Sequence, residues 1–329
     1  MLALSGDDLK HLVTMRKAID LVGLAFTELS QGRALAPLRT PIKVQPEGAT
    51  TLVMPAFVPG AGALGVKVVS VFAGNVDRGL PTITALVAMF DQETGQPLAI
   101  MDGGFLTALR TGAVSGAATE ILAREDATVL TVIGAGAQAV TQALAVAEVR
   151  RLDHINVVAR SRASQERFVT TVERDWPTLA PLLRIDLDLA AAVQEADIIC
   201  AATTSRKPVF DDADVRPGTH INGVGAFTPE MQEIPAETIA RAVVVVDQRK
   251  AALEEAGDLL QPLHSGMVDD SHYARELGQL LSGSVTGRDR PDQVTVFKSV
   301  GNAIQDVAVG RFAIDEAVRQ QVGQRISLF

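Results

Sequence analysis

The chain is poor in cysteine, in aromatic rings and in long apolar runs, and each shortage removes a class of function. Cys200 is the single cysteine, so no internal disulfide can form, and the chain fits a reducing compartment. Tyr and Trp occur once each, which points to an aliphatic core, and 47% hydrophobic residues are ample to build one. No apolar run approaches the ~20 residues that span a bilayer. The opening residues, Met1-Leu-Ala-Leu-Ser-Gly-Asp-Asp8, lack the charged-then-apolar order of a secretion signal, so a cytoplasmic location is expected. Long basic runs are missing too. With a formal net charge of -9, nucleic acid and anionic membranes are poor partners. The five histidines (His11, His154, His220, His264, His272) are scattered without a metal-ligand spacing, and no metal site is expected.

Against these absences stands one strong signal. In Thr128-Val-Leu-Thr-Val-Ile-Gly-Ala-Gly-Ala-Gln-Ala139 a β-branched apolar strand runs into Gly134-x-Gly136-x-x-Ala139, and a helix-forming stretch follows. Only glycine turns that tightly and lets the backbone approach a pyrophosphate. The helix N-terminus behind it offers free N–H groups and a positive dipole end. Strand, glycines and helix in this order predict a dinucleotide site built on Gly134, Ala135, Gly136, Ala137 and Gln138, and therefore an oxidoreductase. The fingerprint lies more than a third of the way along the 329 residues, leaving room for a separate domain ahead of it.

The rest of the chain reads in two rhythms. Residues 7–31 have a helical apolar period that ends at Gly32. Between 34 and 101, short apolar runs (Thr51–Met54, Gly65–Phe72, Thr84–Asp91, Pro97–Met101) alternate with Gly, Pro and Asn, which predicts antiparallel strands and turns, with a hairpin loop at Asp91–Gly95. Phe105–Leu122 is Ala-rich and helical. From Thr128 strands and helices alternate: Ile155–Ala159, Asp197–Ala202, His220–Gly225 and Val243–Asp247 read as buried parallel strands, and Leu187–Glu195 as a helix. The fold class is α/β, a doubly wound Rossmann domain at 124–301 joined to an α+β domain at 1–123. Residues 262–292 read as loop with a short helix. After Val294–Phe297, the helix Asn302–Val318 is expected to return to the first domain, so that 302–329 completes it.

The second strand of the α/β domain bears on the cofactor. NAD sites place an acid at that strand's C-terminal end to accept from the ribose 2′-OH. Asp153 has the right spacing but precedes the strand, which ends in Arg160-Ser161-Arg162. Two guanidiniums and a hydroxyl suit a 2′-phosphate, so NADPH is the preferred cofactor. Arginine also stacks on adenine without a phosphate, which keeps NADH possible. Three cations stand out in the first domain. Lys67 lies in Leu64-Gly-Val-Lys-Val-Val-Ser70 with apolar Gly65 and Val69 as alternate neighbours, a face where it needs an anion unless the strand edge is open to water. Arg110 has helical spacing in Ala108–Ala113, and Arg39 follows Pro37-Leu38; each by itself also reads as an ordinary exposed arginine.

Seven segments together carry a family resemblance. Leu38-Arg-Thr40, Val53-Met-Pro55, Gly65-Val-Lys-Val68, Ala108-Leu-Arg-Thr111, Ile133-Gly-Ala-Gly-Ala-Gln138, His220-Ile-Asn-Gly-Val-Gly225 and Val296-Phe-Lys-Ser-Val-Gly301 resemble the ornithine cyclodeaminase/mu-crystallin family over almost the whole chain. The resemblance implies a substrate-binding and dimerisation domain, a Rossmann domain and a homodimer. It implies that Arg39, Lys67 and Arg110 hold a substrate carboxylate, that Thr111 bonds a cofactor phosphate, and that Val224 and Ser299 lie near the nicotinamide. Ala202, Thr203 and Gly225 are counted with the cofactor site, and Met54, Thr84 and Phe227 with the substrate pocket.

One departure is informative. Cyclodeaminases and alanine dehydrogenases of this family carry a proton-handling Asp where this chain has Phe227, in Gly225-Ala-Phe-Thr-Pro-Glu230. Deaminating an amino acid needs a base for the α-ammonium, whereas reducing a preformed imine needs only a hydride and a proton. The stretch also resembles bacterial members that reduce Δ1-pyrroline-2-carboxylate. The expectation is an NAD(P)H-dependent imine reductase with Lys67 as the catalytic residue. Alternatives are an amino-acid dehydrogenase, a cyclodeaminase in which Glu230 or Glu233 replaces the missing Asp, and an NADPH-dependent binding protein.

Overall fold

Short apolar runs broken by Gly, Pro and Asn make the stretch 40–102 mainly strands and turns, as a computed structural model of the chain shows. Residues 1–45 and 49–327 are described. The chain divides into two compact units, Met1–Arg110 with the chain from Asn302 on, and Thr111–Gly301.

In the first unit the strands are β1 (Leu2–Leu4), β2 (Thr40–Val44), β3 (Ala49–Val58), β4 (Ala63–Val71), β5 (Ile83–Phe90) and β6 (Pro97–Asp102). With the short strand Gln324–Arg325 they form, among the described residues, a seven-stranded sheet in which β2 to β6 pair antiparallel in chain order and β1 lies parallel to β6. Strand β2 and the two terminal strands were not anticipated; at two to five residues they carry too little alternation to be read. The hairpin at Asp91–Gly95 closes as expected: Asp91 Oδ1 accepts from Thr94 N at 2.8 Å, and Gly95 takes φ +71°.

The helical period over 7–31 is two helices, α1 (Gly6–Leu12) and α2 (Met15–Ser30). Thr14 breaks the run by capping α2, its Oγ1 accepting from Lys17 N at 3.3 Å. Because the apolar positions stay in phase across the break, periodicity hides it. The helix Ala303–Gln320 packs on β3, β4 and β5. It lies close: a Cβ on Gly65 of β4 would come within 3.0 Å of Val307, and one on Gly310 within 3.1 Å of Met101 Sδ.

The second unit holds β7 (Val129–Ile133), β8 (His154–Val158), β9 (Leu183–Arg184), β10 (Ile198–Ala201), β11 (His220–Gly223), β12 (Val243–Val246), β13 (Arg275–Glu276) and β14 (Thr295–Lys298). All pair parallel, in the order β13-β12-β14-β11-β10-β7-β8-β9. Strands β10, β11 and β14 are buried throughout, which is why they read as unbroken apolar runs. From β7 the chain winds outward to β8 and β9, then returns to β10 and β11 on the other side. That reversal between β7 and β10 opens a crevice at the C-terminal strand ends. Helix α3 (Gly103–Leu122) contains the division between the units, at Arg110 and Thr111; α4 (Ala137–Val149) follows β7, and α5 (Arg162–Asp175) follows β8.

Candidate active site

In the first unit, one register row crosses the sheet: Met54 on β3, Lys67 on β4, Val87 on β5 and Met101 on β6, all buried. Only Lys67 is charged. Strand alternation turns it to the same face as Ala63 and Gly65, the face covered by the helix Ala303–Gln320. It is 2% exposed, so the open strand edge is ruled out. The anion that such a face demands is Asp306, fully buried in the first turn of that helix, with Oδ2 2.8 Å from Lys67 Nζ. The same carboxylate reaches Arg110 of α3, Oδ1 lying 3.3 Å from Nε, while Arg110 Nη1 donates to Gln305 Oε1. Burial pushes the Lys67 pKa down to about 8; the charges of Arg110 and Arg39 push the same way, and Asp306 opposes them.

Arg39 is half-buried, one residue ahead of β2, whose first residue Thr40 pairs with Val53. Arg39, Met54, Lys67 and Arg110 thus gather around one point. Thr84 does not join them: it is exposed, pairs with Ser70, and by alternation points to the face opposite Val87 and Lys67. Phe227 is half-buried in the second unit, in the turn after β11. Asp306 and Gln305 were missed by the sequence reading. Their signal was an acid on the apolar stripe of a helix, in phase with Val307, Gly310 and Ala313, where only a paired charge survives.

The second unit carries the glycine cradle at the crevice. Gly134 takes φ +115°, and a Cβ there would stand 2.4 Å from Ala202 O, so the β7 turn lies directly against the loop after β10. Gly136 is the N-cap of α4 and has no side chain to occupy the helix end; a Cβ there would meet nothing within 4 Å. Open space beside uncapped amides fits a pyrophosphate. Gln138 adds a buried amide oxygen without a partner among the described residues, and an amide turned over presents two N–H donors to an anion. Ala135 and Ala137 complete the turn. Thr111 is buried on α3 beside α4, its carbonyl accepting from Gln142 Nε2 at 3.0 Å.

At the end of β8 the three polar residues differ. Ser161 caps α5, and Arg162 is held by Glu166 and Asp186, each at 2.9 Å. Arg160 is exposed and has no hydrogen bond or ion pair with the described residues, so it alone is uncommitted.

A second carboxylate system was also missed. Glu233 is buried, and both its oxygens are taken: Oε1 accepts from Thr203 N at 2.5 Å, Oε2 from Gly225 N at 2.7 Å and Ala226 N at 2.9 Å. It ties the loop after β10 to the turn after β11 and so shapes the neighbourhood of Ala202, Thr203, Val224 and Gly225. Burial raises its pKa, with Asp258 adding to that and Lys298 and the amides opposing. Lys298 Nζ in turn pairs with Asp258 Oδ2 at 2.8 Å. Ser299 donates its hydroxyl to Asp247 Oδ2 at 2.8 Å, which also accepts from Val300 N and Gly301 N. Glu233 is therefore a clamp, and the replacement for the missing Asp envisaged for it has no free oxygen.

A doubly wound sheet with a glycine cradle at its switch point, in a chain that also buries an anion-seeking cation pair, defines the class of dinucleotide-binding α/β enzymes. Residues 2–321 match the ornithine cyclodeaminase/mu-crystallin family, and the chain belongs to it. The Delta(1)-pyrroline-2-carboxylate reductase of Bacillus cereus is 40% identical over 327 residues, 99% of both chains. Among solved structures, the Delta(1)-pyrroline-2-carboxylate reductase of Thermococcus litoralis, in complex with NADH and L-proline, superposes with a TM-score of 0.94 at 38% identity, covering 99% of this chain and 100% of the other. An archaeal alanine dehydrogenase, described as a dimer with bound NAD, gives 0.91 at 32% identity over 100% and 99% of the two chains.

Proposed function

We propose that the chain is an NAD(P)H-dependent reductase of cyclic imino acids. It would convert Δ1-pyrroline-2-carboxylate to L-proline and, as a second substrate, Δ1-piperideine-2-carboxylate to L-pipecolate. The observation that carries this reading is a charge imbalance. Lys67 and Arg110, both buried, share the single carboxylate of Asp306. A positive excess held out of water recruits an anion, and a substrate carboxylate supplies one.

Arg110 and Arg39 clamp that carboxylate and so fix C2 of the ring, with Met54 beside Lys67 in the same unit. Orientation of this kind removes a large part of the barrier. A reduced nicotinamide, when bound, supplies the hydride to C2. Lys67, with its pKa near 8, is mostly protonated at neutral pH and gives its proton to the imine nitrogen. One hydride and one proton convert C=N to CH–NH, and no base is needed. Phe227 takes no proton, and Glu233 is engaged by three backbone amides, so neither of these two offers a base for deamination. The names of the Bacillus cereus and Thermococcus litoralis relatives agree with this reading.

NADPH is the preferred partner in this proposal, on the strength of uncommitted Arg160 and of Asp153 standing at the wrong end of β8. The first unit serves substrate binding and dimerisation and the second binds the cofactor, the division falling at Arg110 and Thr111 and not at the expected 123/124; the working form is a cytoplasmic homodimer, and the dimeric alanine dehydrogenase relative supports the assembly. The test follows NADPH and NADH absorbance with Δ1-pyrroline-2-carboxylate in the absence of ammonia, and in parallel with pyruvate plus ammonia. Oxidation with the cyclic imine alone is expected. Oxidation only with pyruvate plus ammonia would replace this reading by an alanine dehydrogenase. Silence in both with cofactor still bound would make it a binding protein.

A further inference from the structure

We propose that Asp306 is a positioning residue that keeps Lys67 protonated inside the buried cluster and aims its Nζ, so that the lysine is loaded for each turnover. The role of the lysine as donor rests on the function proposed above; the hold of Asp306 on its proton does not.

Among the described residues, three elements bring charge to Lys67. The helix Ala303–Gln320 presents Asp306, α3 presents Arg110, and the segment before β2 presents Arg39. Its register partners on the neighbouring strands, Met54 and Val87, are uncharged. Among the described residues Asp306 is thus the negative charge that holds a lysine which burial and two guanidiniums all drive toward deprotonation. Asp306 stands in the first turn of an 18-residue helix capped by Asn302, at the positive end of the helix dipole.

Sharing with Arg110 matters as well. When Lys67 gives up its proton, Asp306 keeps a cationic partner through Nε of Arg110 at 3.3 Å. The carboxylate is therefore paired in both protonation states of the lysine. When a proton returns from solvent, the 2.8 Å contact is already in place to receive the ammonium.

The experiment is a pH titration of lysine Cε resonances by NMR in protein carrying 13Cε-lysine, with the Lys67 signal assigned by its loss in Lys67→Arg. The wild-type midpoint is expected near 8. In Asp306→Asn it should fall by at least about one pH unit. In Arg110→Gln, which removes a repelling charge and leaves Asp306 to the lysine, it should rise; this second variant carries the test if the first does not fold. An unmoved midpoint in either folded variant overturns the proposal. The alkaline limb of kcat/KM for imine reduction is measured alongside. A limb that tracks the NMR midpoint supports Lys67 as the donor. A limb that stays put while the midpoint moves leaves Asp306 in its role and refutes the donor reading.

Discussion

Replacing Gly136 by alanine separates cofactor recognition from folding. The residue has φ −85° and ψ −176°, a conformation alanine adopts without strain, and its Cβ would meet nothing within 4 Å. Alanine is a poorer N-cap than glycine by about 0.5–1 kcal/mol, but it also restricts the unfolded chain, worth about 0.4–1 kcal/mol in the opposite sense. The two nearly cancel, so unfolding free energy should change by less than about 0.5 kcal/mol. The methyl would instead fill the space assigned to the pyrophosphate and push a phosphate off the amides of α4. A hydrogen bond to a charged group contributes about 1.5–3 kcal/mol, so losing one and lengthening another predicts about 2–3 kcal/mol, or a 30- to 150-fold weaker Kd. Urea unfolding and isothermal titration with NADH and NADPH measure the two quantities on one preparation. Gly134→Ala is the contrast: with φ +115° and a Cβ 2.4 Å from Ala202 O, it should lose about 2–5 kcal/mol of stability together with affinity. Unchanged cofactor affinity in a folded Gly136→Ala protein would refute the placement of the pyrophosphate.

Other consequences are as direct. Lys67→Ala should cut imine reduction by about 10²-fold or more while leaving NADPH affinity intact by titration; an active variant would remove Lys67 from the chemistry. Arg160→Ala should lower kcat/KM for NADPH relative to NADH by about tenfold, whereas Arg162→Ala, already paired with Glu166 and Asp186, should change that ratio far less; the reverse ranking would overturn the assignment of Arg160. His220 predicts an acid effect on stability. Burial, with Arg288 and Arg150 adding to it, pushes its pKa down to about 3, so the folded imidazole stays neutral while the unfolded one gains a proton below about 6.5. Stability is then complete above about 6.5 and falls as pH drops toward 3, by up to about 4 kcal/mol from this residue. His220→Gln should flatten that slope in urea melts between pH 7 and 4, and an unaltered slope would assign the acid sensitivity elsewhere.

The sequence by itself determined the parts that are local. A β-branched strand, two glycines and a helix dictate the β7 turn wherever they occur, because the φ of Gly134 and the bare end of α4 are properties of neighbouring residues. The strands β3 to β6 and the apolar runs of the parallel strands were legible for the same reason, as was the family through seven short segments. Lys67 was legible only as a demand, a charge on an apolar face that had to be met by something. What met it was decided by tertiary structure. Asp306 lies 239 residues away along the chain and reaches Lys67 only because its helix packs back on β4. The engagement of Glu233, which occupies both its oxygens with backbone amides, likewise depends on loops after β10 and β11 meeting over one carboxylate. The break between α1 and α2 stayed hidden because both halves bury the same phase. The fate of Arg162, tied to Asp186 rather than left for a phosphate, turned on a loop that no local pattern places. Local geometry follows from adjacent residues, but the pairing of a buried charge is fixed by which distant segments share the same dry space, and that is settled only when the sheet and its helix close on each other.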